Sequence, residues 1–213
     1  MRLENGEVLF RWPLAGPVVV TAGWFYNDGS GHSATDLRAV VGTPVYAAEG
    51  GGVDEVQDWR GGKSGMQSYG NMIRLRHDDY AGGSLQTRYA HLSKICVGFG
   101  QAVKEGDLLG YSGETGNCFG AHLHFEVLWR GRRCNPLCWL DGGFTAKDAA
   151  TKAHLWGGAG EHSVARPDAD KPAGKALQRL TIGPVSAGDA MAVWQLCQSL
   201  RLEKLYRAEE VHG

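Results

Sequence analysis

No stretch of this 213-residue sequence comes near the roughly 20 consecutive apolar residues that a membrane-spanning helix needs, so no membrane partner is expected. Excess charge is missing too. The formal net charge is -1, from 22 Lys and Arg against 23 Asp and Glu. A chain so balanced carries no global electrostatic footprint for nucleic acid, and none is expected as a partner. The opening segment, Met1 to Phe10, scatters charges and has no apolar h-region, so no secretory signal is read from it. A complete disulfide framework is absent as well, because the five cysteines are odd in number. Cys134 and Cys138, four apart, look pairable, although buried free thiols are the plainer expectation. There is no internal repeat.

Glycine, by contrast, is abundant at 32 residues, with 43% hydrophobic and 21% charged residues overall. That composition fits a globular chain with many tight turns, and its short β-branched runs favour a mainly β core. Strands are predicted over Val18–Thr21, Thr43–Ala47, Met72–Arg76, Leu85–Tyr89, Leu108–Tyr111 and His122–Trp129. Asp54 to Tyr69 reads as a long polar loop. Residues 1–140 are expected to form one domain. Residues 141–174, rich in Ala, Gly, Asp and Lys, read as a linker with a short helix near Ala146–His154. Residues 175–213 outline a small β-α-β module, in which Ser186-Ala187-Gly188-Asp189 has the form of a capping box.

Four of the eight histidines fall in three compact motifs. These are Gly31-His32-Ser33-Ala34-Thr35-Asp36, Tyr89-Ala90-His91-Leu92-Ser93 and Gly120-Ala121-His122-Leu123-His124-Phe125-Glu126. Residues two apart on a strand share a face. His122 and His124 therefore stand side by side, while Leu123, Phe125 and Val127 supply the opposite, core-facing side. Two adjacent imidazoles repel when protonated, so a metal or a catalytic role explains them better than stability does. His32 and Asp36 add a nitrogen and an oxygen donor, both good zinc ligands. The Gly, Ser and Thr between and before them favour a turn running into extended chain over a helix.

In this order the three motifs resemble the lysostaphin/LytM-type zinc metalloendopeptidases, which hydrolyse peptidoglycan. Gly42-Thr43-Pro44-Val45, Gly70-Asn71-Met72-Ile73, Val103-Lys104-Glu105-Gly106-Asp107 and Gly110-Tyr111-Ser112-Gly113 extend the likeness over roughly Gly23 to Val127. Two stretches depart from the family pattern. Ser33-Ala34-Thr35 stands before Asp36, and Cys118-Phe119 stands where small hydroxyl residues are usual. The second departure puts substrate preference in doubt. The C-terminal module is similar to half of a SPOR-like wall-binding domain.

The resemblance implies a mainly β fold, with an antiparallel sheet forming a groove over one Zn2+. It implies His32, Asp36 and His124 as the metal ligands, with the fourth position left to water. His91 and His122 match the catalytic histidines, one taking the proton from the attacking water and the other stabilising the oxyanion, with His122 expected to be the more important base. The implied partner is bacterial peptidoglycan, and a homodimer through residues 175–213 is a further expectation. Trp24, Phe25, Tyr26 and Trp59 are candidates to line the groove, and Tyr89 to contact substrate. The alternative function is a catalytically inactive relative that binds peptidoglycan or activates another hydrolase. Which bond is cut is not encoded in any of these motifs. With no signal read, the expected routes to a wall are phage lysis, specialised export or a longer parent chain.

Overall fold

A computed structural model describes residues 8–141 and 143–156. The predicted module over residues 175–213, and most of the predicted linker, lie outside the described residues.

The glycine-punctuated β-branched runs form one sheet. Its strands are β1 (Val18–Ala22), β2 (Thr35–Arg38), β3 (Pro44–Tyr46), β4 (Gly51–Gln57), β5 (Asn71–Arg76), β6 (Leu85–Ile95), β7 (Ala102–Val103), β8 (Leu108–Ser112), β9 (His122–Trp129), β10 (Arg132–Cys134) and β11 (Phe144–Ala146). The main path runs β11-β1-β2-β9-β6-β5-β4-β7, while β10 pairs with β9, and β8 pairs with β3 and β6. Every pairing is antiparallel except β1 with β11. The mainly β expectation and its antiparallel sheet are therefore met.

Period-2 alternation sorts the faces. Leu123, Phe125 and Val127 of β9 are fully buried, and so are Leu37, Ile73, Leu75, Leu85 and Tyr89 from neighbouring strands. Each such side chain contributes about 1.5–3 kcal/mol when taken out of water. Tyr89 sits on this core face, where its hydroxyl accepts from Ala48 N at 2.9 Å. It does not reach the groove. His77, buried as well, donates from Nδ1 to Gly50 O at 2.8 Å and has Thr87 Oγ1 2.8 Å from Nε2, which accounts for it structurally. Cys134 is a buried free thiol rather than half of a bridge to Cys138.

Two expectations shift. Asp54 to Tyr69 is only partly loop: β4 runs through Gln57, and Gly65–Tyr69 is a short 3-10 turn. Residues 143–156, expected in the linker, instead pack on the sheet. β11 pairs with Val18–Val20, and α1 (Ala149–Ala153), capped by Asp148, follows it. Thr151 Oγ1 donates to Thr21 O at 3.3 Å, Trp24 N to Leu155 O at 3.3 Å, and Phe25 N to His154 O at 3.3 Å. Buried Asn135 adds a bond from Nδ2 to Leu155 O at 3.0 Å. Leu155 enters the core, with Phe144 and Ala146 packed against it, but a polar, Ala-rich composition concealed these few apolar anchors.

The strap crosses Gly23 so closely that a Cβ there would meet Leu155 Cα at 2.5 Å and His154 O at 2.7 Å. Both obstacles are backbone, so no rotamer change relieves them. We expect Gly23→Ala to destabilise the domain by about 1–3 kcal/mol. Gly52→Ala, whose Cβ meets nothing within 4 Å, should stay within about 0.5 kcal/mol. Urea unfolding midpoints of the two variants check this.

Candidate metal centre

On the face opposite the core, β9 presents His122, His124 and Glu126 in a row. β2 lies beside it with Asp36 opposite His124. On the other side of β9, β6 sets Ala90 opposite His124 and Arg88 opposite Glu126. The cross-strand register therefore assembles the site from residues far apart in sequence.

Two backbone irregularities complete it. Strict alternation would turn His91 toward the core with Tyr89. Instead, three steps along β6 match two along β5 between Tyr89 and Leu92, and His91 has φ of +60°. The bulge and the left-handed residue re-aim the imidazole into the site, at a conformational cost of about 1–3 kcal/mol. Ser33 also has φ of +60°. It turns the chain between His32 and β2, so the His-x-x-x-Asp segment is a turn entering extended chain, as predicted.

Every imidazole has one nitrogen tied to an acceptor. His32 Nδ1 is 2.7 Å from Gly23 O, His91 Nδ1 2.8 Å from Thr115 O, and His122 Nδ1 2.9 Å from Gly120 O. A carbonyl can only accept, so each Nδ1 bears the proton and each Nε2 keeps its lone pair. His124 is reversed: its Nε2 lies 3.3 Å from Glu126 Oε1, leaving Nδ1 free. The strap behind Gly23 thus helps fix the orientation of His32.

The free atoms converge. His32 Nε2 and His124 Nδ1 are 3.2 Å apart, His32 Nε2 and Asp36 Oδ1 3.1 Å, and His124 Nδ1 and Asp36 Oδ1 2.9 Å. Around a tetrahedral zinc with bonds of 2.0–2.1 Å, ligand atoms stand about 3.3 Å apart. Two imidazoles and one carboxylate, each within a few tenths of an ångström of that spacing, fit the ion. His91, His122 and His124 form a second, overlapping group whose donor atoms lie within 4.8 Å of one another. The His91 and His122 rings meet edge-on at 4.8 Å, and His122 Nε2 is 3.6 Å from Asp36 Oδ1.

The electrostatics favour a cation. Burial pushes the Asp36 carboxyl up, but the adjoining His124 and His32 rings outweigh it and hold the group well below the usual carboxylate range. Burial pulls His124 down, yet Asp36 and Glu126 on either side lift it to about 9. His91 is drawn down to about 4, by burial first and then by His124 and His122.

All five predicted site residues are brought together. What the sequence reading missed lies around them. Glu126 takes Tyr69 Oη at 2.8 Å and Arg133 Nε at 3.0 Å on one oxygen, and Arg88 Nη1 at 2.7 Å on the other. Burial raises its carboxyl, but His124, Arg88 and Arg133 bring it to about 2. Its position two beyond His124 was the available signal. Cys118 Sγ lies 3.0 Å from Gly120 O and 3.3 Å from His122 Nδ1, so that departure from the family pattern touches a predicted catalytic residue. Burial, then Glu114 and Asp36, pushes its thiol up to about 11. Neighbouring Phe119 is 96% exposed at the rim of a cleft of about 410 Å³. Of the predicted lining aromatics, Tyr26 reaches the cleft and packs on His32 at 4.4 Å. Trp24 is buried, and Trp59 bonds back to Gly62 O of its own loop.

Residues 30–136 match the model of peptidase family M23. The chain belongs to peptidase family M23. The peptidoglycan DD-endopeptidase ShyA of Vibrio cholerae is 39% identical over 106 residues, which is 50% of this chain and 22% of that one. A zinc-containing peptidase from Vibrio cholerae superposes with a TM-score of 0.51 at 31% identity, covering 63% of this chain and 44% of that one. The catalytic domain of the prophage-encoded M23 protein EnpA from Enterococcus faecalis, as a mutant, gives 0.50 at 28%, covering 60% and 95%. The chain thus spans about a fifth of ShyA. The strap of residues 143–156 and its capped helix lie beyond the stretch matched by the M23 model.

Glu126 orients His124 without being able to reach the point where the three donors converge, so it acts on the metal through its neighbour. Glu126→Gln should weaken zinc affinity by about 10–100-fold. Competition with a fluorescent zinc chelator measures this directly.

Proposed function

We propose that this M23 chain is a zinc-dependent peptidase that hydrolyses peptide bonds of bacterial peptidoglycan. The observation that carries this reading is the near-tetrahedral spacing of His32 Nε2, Asp36 Oδ1 and His124 Nδ1, with two further imidazoles beside them. Similarity to ShyA supports peptidoglycan as the substrate class.

In this proposal His32, Asp36 and His124 hold one zinc, which when bound polarises the scissile carbonyl and acidifies a water toward a pKa of about 7. His122 and His91 handle the proton. Both keep a bare Nε2, because Gly120 O and Thr115 O hold the Nδ1 protons. Each can therefore accept a proton from water, and each can donate a hydrogen bond only after accepting one. Both line the cleft, but His122 is half-buried while His91 is buried, so His122 is the better placed base. A hydrogen bond from His91 to the developing oxyanion requires that His91 first take up a proton at Nε2. Tyr26, packed on His32, covers one side of the reacting centre.

Residues 175–213 remain proposed as a wall-binding or dimerisation module. Removing Lys175–Gly213 should lower either wall binding or mass in solution beyond the deleted residues. If neither changes, that role is wrong.

Mass spectrometry of purified peptidoglycans after incubation tests the peptidase reading. New amino termini should arise with wild type, vanish on zinc chelation and return with added zinc. His122→Ala should slow cleavage by about 100-fold or more. A zinc-loaded wild type that cuts no crosslink type would leave the binding or hydrolase-activating reading in its place.

A further inference from the structure

Among the described residues, the cleft lining holds one arginine, Arg133, and one lysine, Lys147. Their commitments differ. Arg133 bonds both Glu126 and the Tyr69 hydroxyl, so its guanidinium already neutralises a buried carboxylate. Among the described residues, the ammonium of Lys147 has one acidic neighbour, Asp148 Oδ2, at 3.7 Å. That aspartate is itself engaged: its Oδ1 accepts from Thr151 N at 2.7 Å and caps α1. The pair is nearly half exposed on both sides, and such pairs are worth little. Lys147 is therefore the cation of this lining that is open to an incoming anion.

Its backbone is fixed where a substrate would lie. Ala146 pairs with Val20, and Lys147 N donates to Val20 O at 2.8 Å. Val20 and Ala146 precede Thr21 and Lys147, both of which line the cleft. Across β1, Val20 pairs with Leu37 and Ala22 with Asp36, and Asp36 pairs with His124. Lys147 follows Ala146 at the end of β11, beside Thr21, and β1 separates β11 from β2, so Lys147 stands two strand spacings across the sheet from β2, or about 10 Å. An extended peptide covers that distance in about three residues.

We propose that Lys147 is a specificity-determining residue that binds a carboxylate of the substrate peptide about three residues from the bond to be cut. This rests on the peptidase reading above. The carboxylate could belong to an acidic side chain or to a peptide C-terminus, and the chemistry at the ammonium is the same. Lys147 comes from the strap, beyond residues 30–136 matched by the family model. The strap thereby has two tasks, backing Gly23 behind His32 and carrying the cation in front.

The test uses the zinc-loaded full chain and one crosslinked peptide in three forms: free acid, side-chain amide and C-terminal amide. Wild type should favour the free acid by roughly three- to tenfold in kcat/KM over the amide that removes the bound carboxylate. Which amide shows the loss identifies the source. Lys147→Gln should bring that ratio close to one, through KM more than kcat. Lys147→Arg should keep most of it, and Lys147→Glu should reverse it. A wild type that cleaves all three forms equally, or a Lys147→Gln variant that keeps the full ratio, overturns the proposal while leaving the peptidase reading intact. A wild type that cleaves none of them, with zinc bound, overturns the peptidase reading and this inference with it.

Discussion

His124 is held between two carboxylates, Asp36 on one ring nitrogen and Glu126 on the other, and much of the molecule is arranged around that contact. An imidazole and two carboxylates buried together are costly unless each finds a partner of opposite character. Arg88 and Arg133 close the outer end by neutralising Glu126. The inner end opens on Asp36 and His32, where lone pairs of three residues meet. A cation at that end completes the balance. The chain of charges from Arg88 through Glu126 and His124 to Asp36 therefore prepares this sheet face for a metal.

This arrangement needs a rigid support, and the sheet supplies it through register. β2, β9 and β6 lie side by side, so Asp36, His124 and Ala90 form one transverse row. A slip of one residue in any of these strands would send the donors into the core and Leu123 or Phe125 into the cleft. Burial of those apolar side chains fixes the register, and the register fixes the donors. Where regular geometry cannot deliver a side chain, the backbone departs from it. His91 accepts a left-handed conformation and Ser33 another, both beside the site and both at positions with side chains. The hydrogen bond of His91 Nδ1 to Thr115 O holds the first of these strained residues in its useful direction.

The strap of residues 143–156 adds a constraint that local patterns did not announce. Its composition resembles a linker, and it is joined to the sheet by main-chain bonds, a few polar side chains and the apolar Phe144, Ala146 and Leu155. Such bonds depend on where two carbonyls and amides meet, not on which side chains alternate. The same holds for Glu126. Its place on the groove face follows from period-2 spacing after His124, but its ties to Tyr69, Arg88 and Arg133 join three separate segments. Cys118 likewise contacts His122 only because the loop before β9 folds back at Gly120.

The amino-acid sequence by itself determined the β class and the core face of β9, because alternation is a local property, while the five proposed site residues followed from the resemblance of three motifs. Only the tertiary structure decided how the donors meet, which ring nitrogen each histidine frees, and that residues 143–156 are part of the domain. Those outcomes follow from cross-strand register, from two residues at positive φ and from backbone hydrogen bonds between distant segments, none of which a linear pattern of side chains specifies.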